Sequence, residues 1–201
     1  MFRVGLTGGI ASGKTLVGEL FAELGAGVVD TDEVAREVVA PGEPGLDAVV
    51  AEFGPEILRA DGTLDRRALR HIVFRDAQRR GRLEAILHPL IHDRMLQRVG
   101  TIEAPYAIVI VPLLLETGFV ELVERIAVVD CPESVQLGRL QQRDGMSERD
   151  ARAMLEAQTD RQTRLASADD VIDNSGTREQ TAAGVASLHA RYLQMAAAEA
   201  R

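Results

Sequence analysis

The run Gly8-Gly9-Ile10-Ala11-Ser12-Gly13-Lys14-Thr15 matches the pattern G-x-x-x-x-G-K-[ST]. Its flanks decide the fold: residues 3–6 before it are a short apolar run, and after it Val17, Leu20, Phe21 and Leu24 recur at helical spacing. A strand, a glycine-rich loop and an amphipathic helix in that order form a phosphate-binding unit. The glycines let successive backbone N–H groups turn inward around an anion, and the helix N-terminus adds its positive dipole end. Lys14 is placed to reach the β- and γ-phosphates of a nucleotide, and the Thr15 hydroxyl to ligate Mg²⁺. A glycine-rich turn without a ligand is the competing interpretation, and the strand and helix on either side weigh against it.

Of the 23 basic residues, 22 are arginine and one, Lys14, is lysine. The single exception falls where a compact ammonium fits beside phosphates and a planar guanidinium is too wide. The same count excludes GTPases that read guanine with N-K-x-D, a motif that needs a second lysine. No apolar strand ends in an obvious Mg²⁺-binding aspartate: the third ends at Val111-Pro112, and Asp130 after the fourth is the nearest formal match. A small-molecule kinase is the class that remains.

The chain has 201 residues, 46% of them hydrophobic, and a net charge of -8. That composition is globular and fits one domain or a core with insertions. Net acidity and an aromatic content of 3% argue against a general nucleic-acid binder or an anionic-membrane binder. The lone Cys131 forms no internal disulfide, and neither a secretory leader nor a membrane span is evident, so a cytoplasmic protein is expected.

Short Val/Ile/Leu-rich runs at 3–6, 27–29, 107–111, 125–129 and 170–172 alternate with helical periodicity, which predicts an α/β fold with a five-stranded parallel sheet. About 75 residues separate the second and third runs, far more than one crossover helix needs, so they form a substructure. Within it, residues 59–98 carry ten arginines against five acids, a balance of +5 that leaves the rest of the chain at -13. A second helical stretch covers 133–165. Ser147 with Asp150, and Thr177 with Gln180, have the spacing of helix-capping boxes, and the tail from Ala196 is expected to fray.

Asp30-Thr31-Asp32 follows the second strand. In open α/β sheets ligands bind at the carboxyl ends of strands, where a carboxylate can orient an acceptor hydroxyl and take its proton. Equally, Thr31, Asp32 and Glu33 have the chemistry to complement the start of the next helix, with Asp32 paired to Arg36 four residues on. Spacing alone leaves both open.

At this point the sequence resembles the dephospho-CoA kinases, enzymes of the last step of coenzyme A synthesis. The likeness runs through Val4-Gly-Leu-Thr-Gly-Gly-Ile, Val29-Asp-Thr-Asp with Ala35-Arg36, Phe53-Gly54, Leu64-Asp65-Arg66, Leu87-His88-Pro89, Val111-Pro-Leu-Leu-Leu-Glu116, Gln142-Arg143 and Ala168-Asp-Asp-Val-Ile-Asp-Asn174. Two positions depart from the family pattern. Ala11 stands where glycine is usual, and Leu16 stands where a hydroxyl residue is common.

The resemblance implies a P-loop kinase core of about 1–40, 104–135 and 167–196, a helical acceptor-binding insertion of about 41–103, and a helical lid of about 136–166. It implies ATP and Mg²⁺, and phosphoryl transfer to the ribose 3′-hydroxyl of dephospho-CoA by a monomer or weak homo-oligomer. Asp32 takes the position of the family's catalytic base, and Arg36, His88, Pro112 and Leu113 those of acceptor contacts. Arg139 and Arg143, at i,i+4 on one lid helix, take those of cations that meet the phosphates. Residues 8–16 hold the nucleotide, and Asn174 falls at an adenine contact. His88-Pro89 is expected to mark a helix break near the acceptor pocket.

Blander alternatives accompany these assignments. Most arginines of 59–98 suit a solvated face, Arg143 suits an ion pair with Asp144 or Glu148, and Asn174 suits a turn or cap. Glu116 suits either the Mg²⁺ water shell or a helix start, and Cys131 a small buried residue. A kinase for another small acceptor, or a nucleotide-binding regulatory or nucleic-acid-binding module using 66–82, are the competing functional readings.

Overall fold

In the computed structural model, which describes every residue except Arg75, Ala200 and Arg201, five strands form one parallel sheet. They are β1 (Phe2–Gly8), β2 (Gly27–Asp30), β3 (Tyr106–Ile110), β4 (Arg125–Asp130) and β5 (Asp170–Asp173), in the order β2-β3-β1-β4-β5. The order reverses at β1, which pairs with β3 on one side and β4 on the other, so the loop leaving β1 opens at the switch point of the sheet. The five apolar runs lie within or against these strands, with ends displaced by one or two residues.

Side chains alternate across the sheet, and Phe2, Val4 and Leu6 share the face that buries Val17, Leu20 and Phe21 of α1 (Lys14–Glu23). Val185, Tyr192 and Ala196 of α9 (Arg178–Glu199) complete that layer. Thr177 and Gln180 form a reciprocal capping box at the start of α9, Thr177 N–H donating to Gln180 Oε1 (2.9 Å) and Gln180 N–H to Thr177 Oγ1 (3.4 Å). The helix persists to Glu199, past the expected fraying point at Ala196.

The chain divides into two compact units, Met1–Asp30 with the chain from Val99 onward, and Thr31–Arg98. The second unit holds α2 (Thr31–Glu37), α3 (Pro44–Phe53), α4 (Arg66–Phe74) and most of α5 (Ala77–Gly100). Its buried residues include Leu46, Val49, Phe53, Ile57, Leu69, Ile91 and Met95. Ion pairs tie its segments: Arg98 holds Glu33 and Glu37, Arg94 holds Glu43, and Arg82 holds Glu52. Much of the basic balance of 59–98 is therefore matched by the acids just before it. Arg75, one of the ten arginines, lies outside the described residues.

Two expectations are corrected. Pro89 does not break a helix, because α5 runs through it for 24 residues. Proline removes one backbone hydrogen bond, but apolar positions continue past it at Ile91 and Met95, both buried. The stretch 133–165 is three helices, α6 (Glu133–Asp144), α7 (Glu148–Glu156) and α8 (Arg161–Ala166). Gly145, at φ 64, ends α6 in a left-handed cap, and the Ser147 and Asp160 side chains cap α7 and α8.

At the start of β5, buried Asp170 accepts from Arg125, from Arg191 (2.8 Å) and from Tyr192 Oη (3.0 Å). Burial opposes ionisation, but Arg125, Tyr192 and Arg191 outweigh it and hold the carboxyl below its ordinary 3.8. A folded pKa below the unfolded one contributes stability above pH 3.8, which is lost as pH falls through the folded value. Asp170→Asn is expected to cost about 3 kcal/mol in urea unfolding at pH 7, with the gap to the parent narrowing below pH 3.8.

Candidate functional site: a phosphate loop and its lid

The loop between β1 and α1 has its carbonyls turned outward, each held by a donor. Gly8 and Gly9 accept from Lys14 Nζ (2.9 and 3.2 Å), and Gly9 also from Ser12 N–H (3.1 Å). Ile10 accepts from Gln136 Nε2 (2.7 Å), and Ala11 and Ser12 from Arg139 Nη1 (3.2 and 3.1 Å). Ser12 also accepts from Asn174 Nδ2 (2.7 Å). With the carbonyls engaged, loop N–H groups other than those of Ile10 and Ser12 are left to converge on an anion.

Backbone conformation follows the same demand. Gly13 sits at φ 99, and a Cβ there would lie 2.0 Å from Asn174 Nδ2, so conformation and space both require glycine. Ala11 is at φ 57, the one non-glycine residue at positive φ among the described residues. That geometry is why glycine suits the position, and it costs an alanine about 1 kcal/mol. The Ser12 hydroxyl is buried and is the one such side-chain polar atom without a hydrogen-bond partner among the described residues.

A cavity of about 600 Å³ opens beside the loop. Ala11, Gly13, Lys14, Thr15 and Leu16 line one side, and Arg139, Gln142, Arg143 and Asn174 the other. Leu16 gives it an apolar patch where a hydroxyl residue would be polar. Buried Asn174 is fixed from both ends, its Oδ1 accepting from Thr181 Oγ1 (2.9 Å) while its backbone carbonyl takes Arg139 Nη2 (2.8 Å). Arg139 thus bridges three carbonyls and positions the loop. Arg143 has its guanidinium on Asp144 (2.8 Å) with 64% of the side chain exposed, the ion-pair alternative open in the sequence. An exposed pair of this kind is weak and leaves the cation exchangeable for a stronger anion.

Other residues have different neighbours from those expected. Asp130, the nearest formal match to a metal-binding aspartate, is paired with Arg161 (2.6 Å). Glu116 is exposed and does not start a helix. Its Oε1 accepts from Thr159 N–H (3.2 Å) and Oγ1 (2.6 Å), tying the segment after β3 to the turn before α8. In that segment Pro112 is half-buried, its carbonyl accepting from Thr7 Oγ1 (3.3 Å), and Leu113 is 41% exposed. Neither lines the cavity. Burial pushes the Cys131 thiol up, which suits a packed residue rather than a nucleophile.

In the helical unit, Asp32 and Arg36 are exposed on α2, and His88 is half-buried on α5. Arg66, first residue of α4, is pulled below the ordinary arginine value by desolvation and by the nearby Arg36, with Asp32 opposing. These three charges therefore form one cluster. Among the described residues no ion pair forms on Arg36, Arg66, Arg67 or Arg70. Sequence reasoning missed Gln136 and Gln158, whose amides hold the two backbone groups of Ile10. The available signal was position: Gln136 precedes Arg139 by three residues and Arg143 by seven, on the same face of α6.

A parallel α/β sheet with this loop at its switch point, and arginine-bearing helices over it, defines a P-loop kinase. A shikimate kinase from Bacteroides thetaiotaomicron shares the fold at a TM-score of 0.54 and 15% identity, over 94% of this chain and 97% of that one. The particular family is set by closer likenesses. The dephospho-CoA kinase family model matches residues 2–180. A dephospho-CoA kinase of Thiobacillus denitrificans is 50% identical over 198 residues, 98% of each chain. One from Dechloromonas aromatica is 48% identical over 98% of this chain and 95% of its own. Among solved structures, a dephospho-CoA kinase from Campylobacter jejuni superposes at a TM-score of 0.70 with 25% identity, over 96% of this chain and 97% of that one. The chain belongs to the dephospho-CoA kinase family, which phosphorylates dephospho-CoA with ATP in coenzyme A biosynthesis. No helix among the described residues is long and apolar enough to cross a membrane.

Gly13→Ala tests the cradle. It is expected to raise the Kd for ADP roughly 100-fold by calorimetry, since the new methyl displaces Asn174 and strains the loop.

Proposed function

We propose that this chain transfers the ATP γ-phosphoryl group in line to the ribose 3′-hydroxyl of dephospho-CoA. The observation that carries the proposal is the loop with five outward-held carbonyls and Lys14 across it, in a chain of this family. Phosphoryl transfer demands positioning and charge compensation more than covalent chemistry, and the residues fit that demand. The loop N–H groups hold the β-phosphate, while Lys14 exchanges its contacts with the Gly8 and Gly9 carbonyls for phosphate oxygens. Its ammonium then stabilises charge that grows in the transition state.

Asp32 orients the acceptor hydroxyl and takes its proton as the new bond to phosphorus forms. It is two residues beyond Asp30, the last residue of β2, and in the first turn of α2. Arg36 and Arg66, crowded together beside it, bind the acceptor's anionic phosphates, which relieve their mutual repulsion. His88 contacts the acceptor from α5, and Pro112 and Leu113 from the segment after β3. Asn174 places the adenine end of ATP. Arg143 leaves Asp144 for the phosphates as the lid seats, and closure keeps water from the transferring group.

Mg²⁺ fits as a cation carried largely by the nucleotide. Thr15 is exposed at the second residue of α1, and no group of three or more His, Cys, Asp or Glu residues able to hold a metal occurs among the described residues. The chain would supply the Thr15 hydroxyl, and the remaining ligands would come from phosphate and water oxygens. When bound, the ion neutralises charge on the β- and γ-phosphates.

Purified protein given ATP, Mg²⁺ and a panel of nucleosides, nucleotides and dephospho-CoA is expected to consume ATP with dephospho-CoA far faster than with the others. Equal turnover of another acceptor contradicts the assignment. Lys14→Ala is expected to slow transfer about 10³-fold. Asp32→Asn is expected to leave the ADP Kd unchanged and lower kcat at least about 100-fold. Near-normal kcat would return Asp32 to complementing the start of α2.

A further inference from the structure

Ile10 is bound at both of its backbone polar groups by side-chain amides from the lid region. Its N–H donates to Gln158 Oε1 (2.8 Å), and its carbonyl accepts from Gln136 Nε2 (2.7 Å). Gln136 is on α6 and only 2% exposed, and Gln158 is in the turn between α7 and α8. The approach depends on Gly9, where a Cβ would come within 2.3 Å of Gln136 Nε2 and 2.9 Å of Arg164 Nη2. Nothing in the reaction described above uses either glutamine.

The next residue is Ala11, held left-handed at φ 57 without the freedom of glycine. The peptide plane that precedes its Cα carries the Ile10 carbonyl, and the plane that follows carries the Ala11 carbonyl. Gln136 holds the first plane, and Arg139 Nη1 (3.2 Å) holds the second. Gln158 fixes the plane one residue earlier. The two torsions at Ala11 are thereby clamped from outside, and the Ala11 N–H shares the plane that Gln136 holds.

We propose that Gln136 and Gln158 are positioning residues that hold the two peptides on either side of Ile10 in place, so that an alanine can occupy a left-handed site in the phosphate loop. Without them Ala11 relaxes toward negative φ, its N–H swings off the phosphates, and nucleotide affinity falls. The glutamines thus substitute for the conformational freedom that a glycine would bring. They act through the loop and touch no reacting atom.

The claim makes the effect of each glutamine conditional on the residue at position 11, which calorimetric titration with ADP reads directly. Gln136→Met and Gln158→Met are each expected to weaken ADP binding about tenfold in the parent, the size of one lost hydrogen bond. In the Ala11→Gly background the same changes are expected to cost less than about twofold, because glycine holds the left-handed conformation unaided. Thr159→Val removes the hydroxyl bond to Glu116 and leaves Ile10 untouched, so its effect is expected to be equal in both backgrounds. Equal losses from the glutamine changes in the two backgrounds, or no loss in the parent, overturn the proposal. So does rescue of Thr159→Val by Ala11→Gly, which would mean that glycine acts by general stabilisation. Should buried Gln136→Met fail to fold, the half-buried Gln158→Met carries the same comparison.

Discussion

A phosphate loop works only if its carbonyls face away from the phosphate, and here that requirement organises much of the sheet unit. Amide N–H and C=O groups point in opposite directions along an extended turn, so four side chains that engage the five carbonyls from Gly8 to Ser12 leave N–H groups for the anion. Lys14 comes from the loop's own helix, Gln136 and Arg139 from α6, and Asn174 from beyond β5. Asn174 is itself fixed by Thr181 at the start of α9. The sheet order sets this up, because β4 and β5 carry α6 and Asn174 to the side of β1 where the loop emerges.

Charge is distributed to the same end. The net -8 is unfavourable for a protein that handles two polyphosphate compounds, so anion binding depends on local cations. In the helical unit, arginines 82, 94 and 98 are neutralised by Glu52, Glu43 and Glu37, while Arg36 and Arg66 are left crowded beside Asp32. In the sheet unit Arg161 is held by Asp130, Arg139 by carbonyls, and Arg143 by an exposed neighbour. The cations held by exposed partners or by none are those with freedom to meet a ligand.

The five strands and the loop were legible because burial on both sides makes parallel strands continuous apolar runs, and because the glycine-lysine pattern is dictated by sterics at single residues. Ala11 was legible as an oddity, and its φ of 57 supplied the reason. What escaped was long-range partnership. Gln136 shared a helix face with Arg139 and Arg143, but its partner Ile10 is 126 residues away, and nothing local marks Gln158, 148 residues from Ile10, as its second holder. Pro89 misled because the local rule of helix breaking yields when the apolar positions that continue the helix beyond it are buried. The partners of Glu116 and Asp130, Thr159 and Arg161, are far along the chain and were unseen in one dimension. Within 133–165 the capping box at Ser147 and Asp150 was legible and starts α7, whereas the break before α8 escaped because Asp160 is a single capping residue.

The most direct measurement is amide NMR of the loop during titration with ADP. The expected result is that the N–H resonances of Ala11, Gly13, Lys14 and Thr15 move strongly downfield and become protected from exchange, while that of Ile10, already bonded to Gln158, changes little. A titration in which Ile10 responds as strongly as Ala11, or in which the four loop amides do not respond, would contradict a cradle built by capturing the carbonyls from outside.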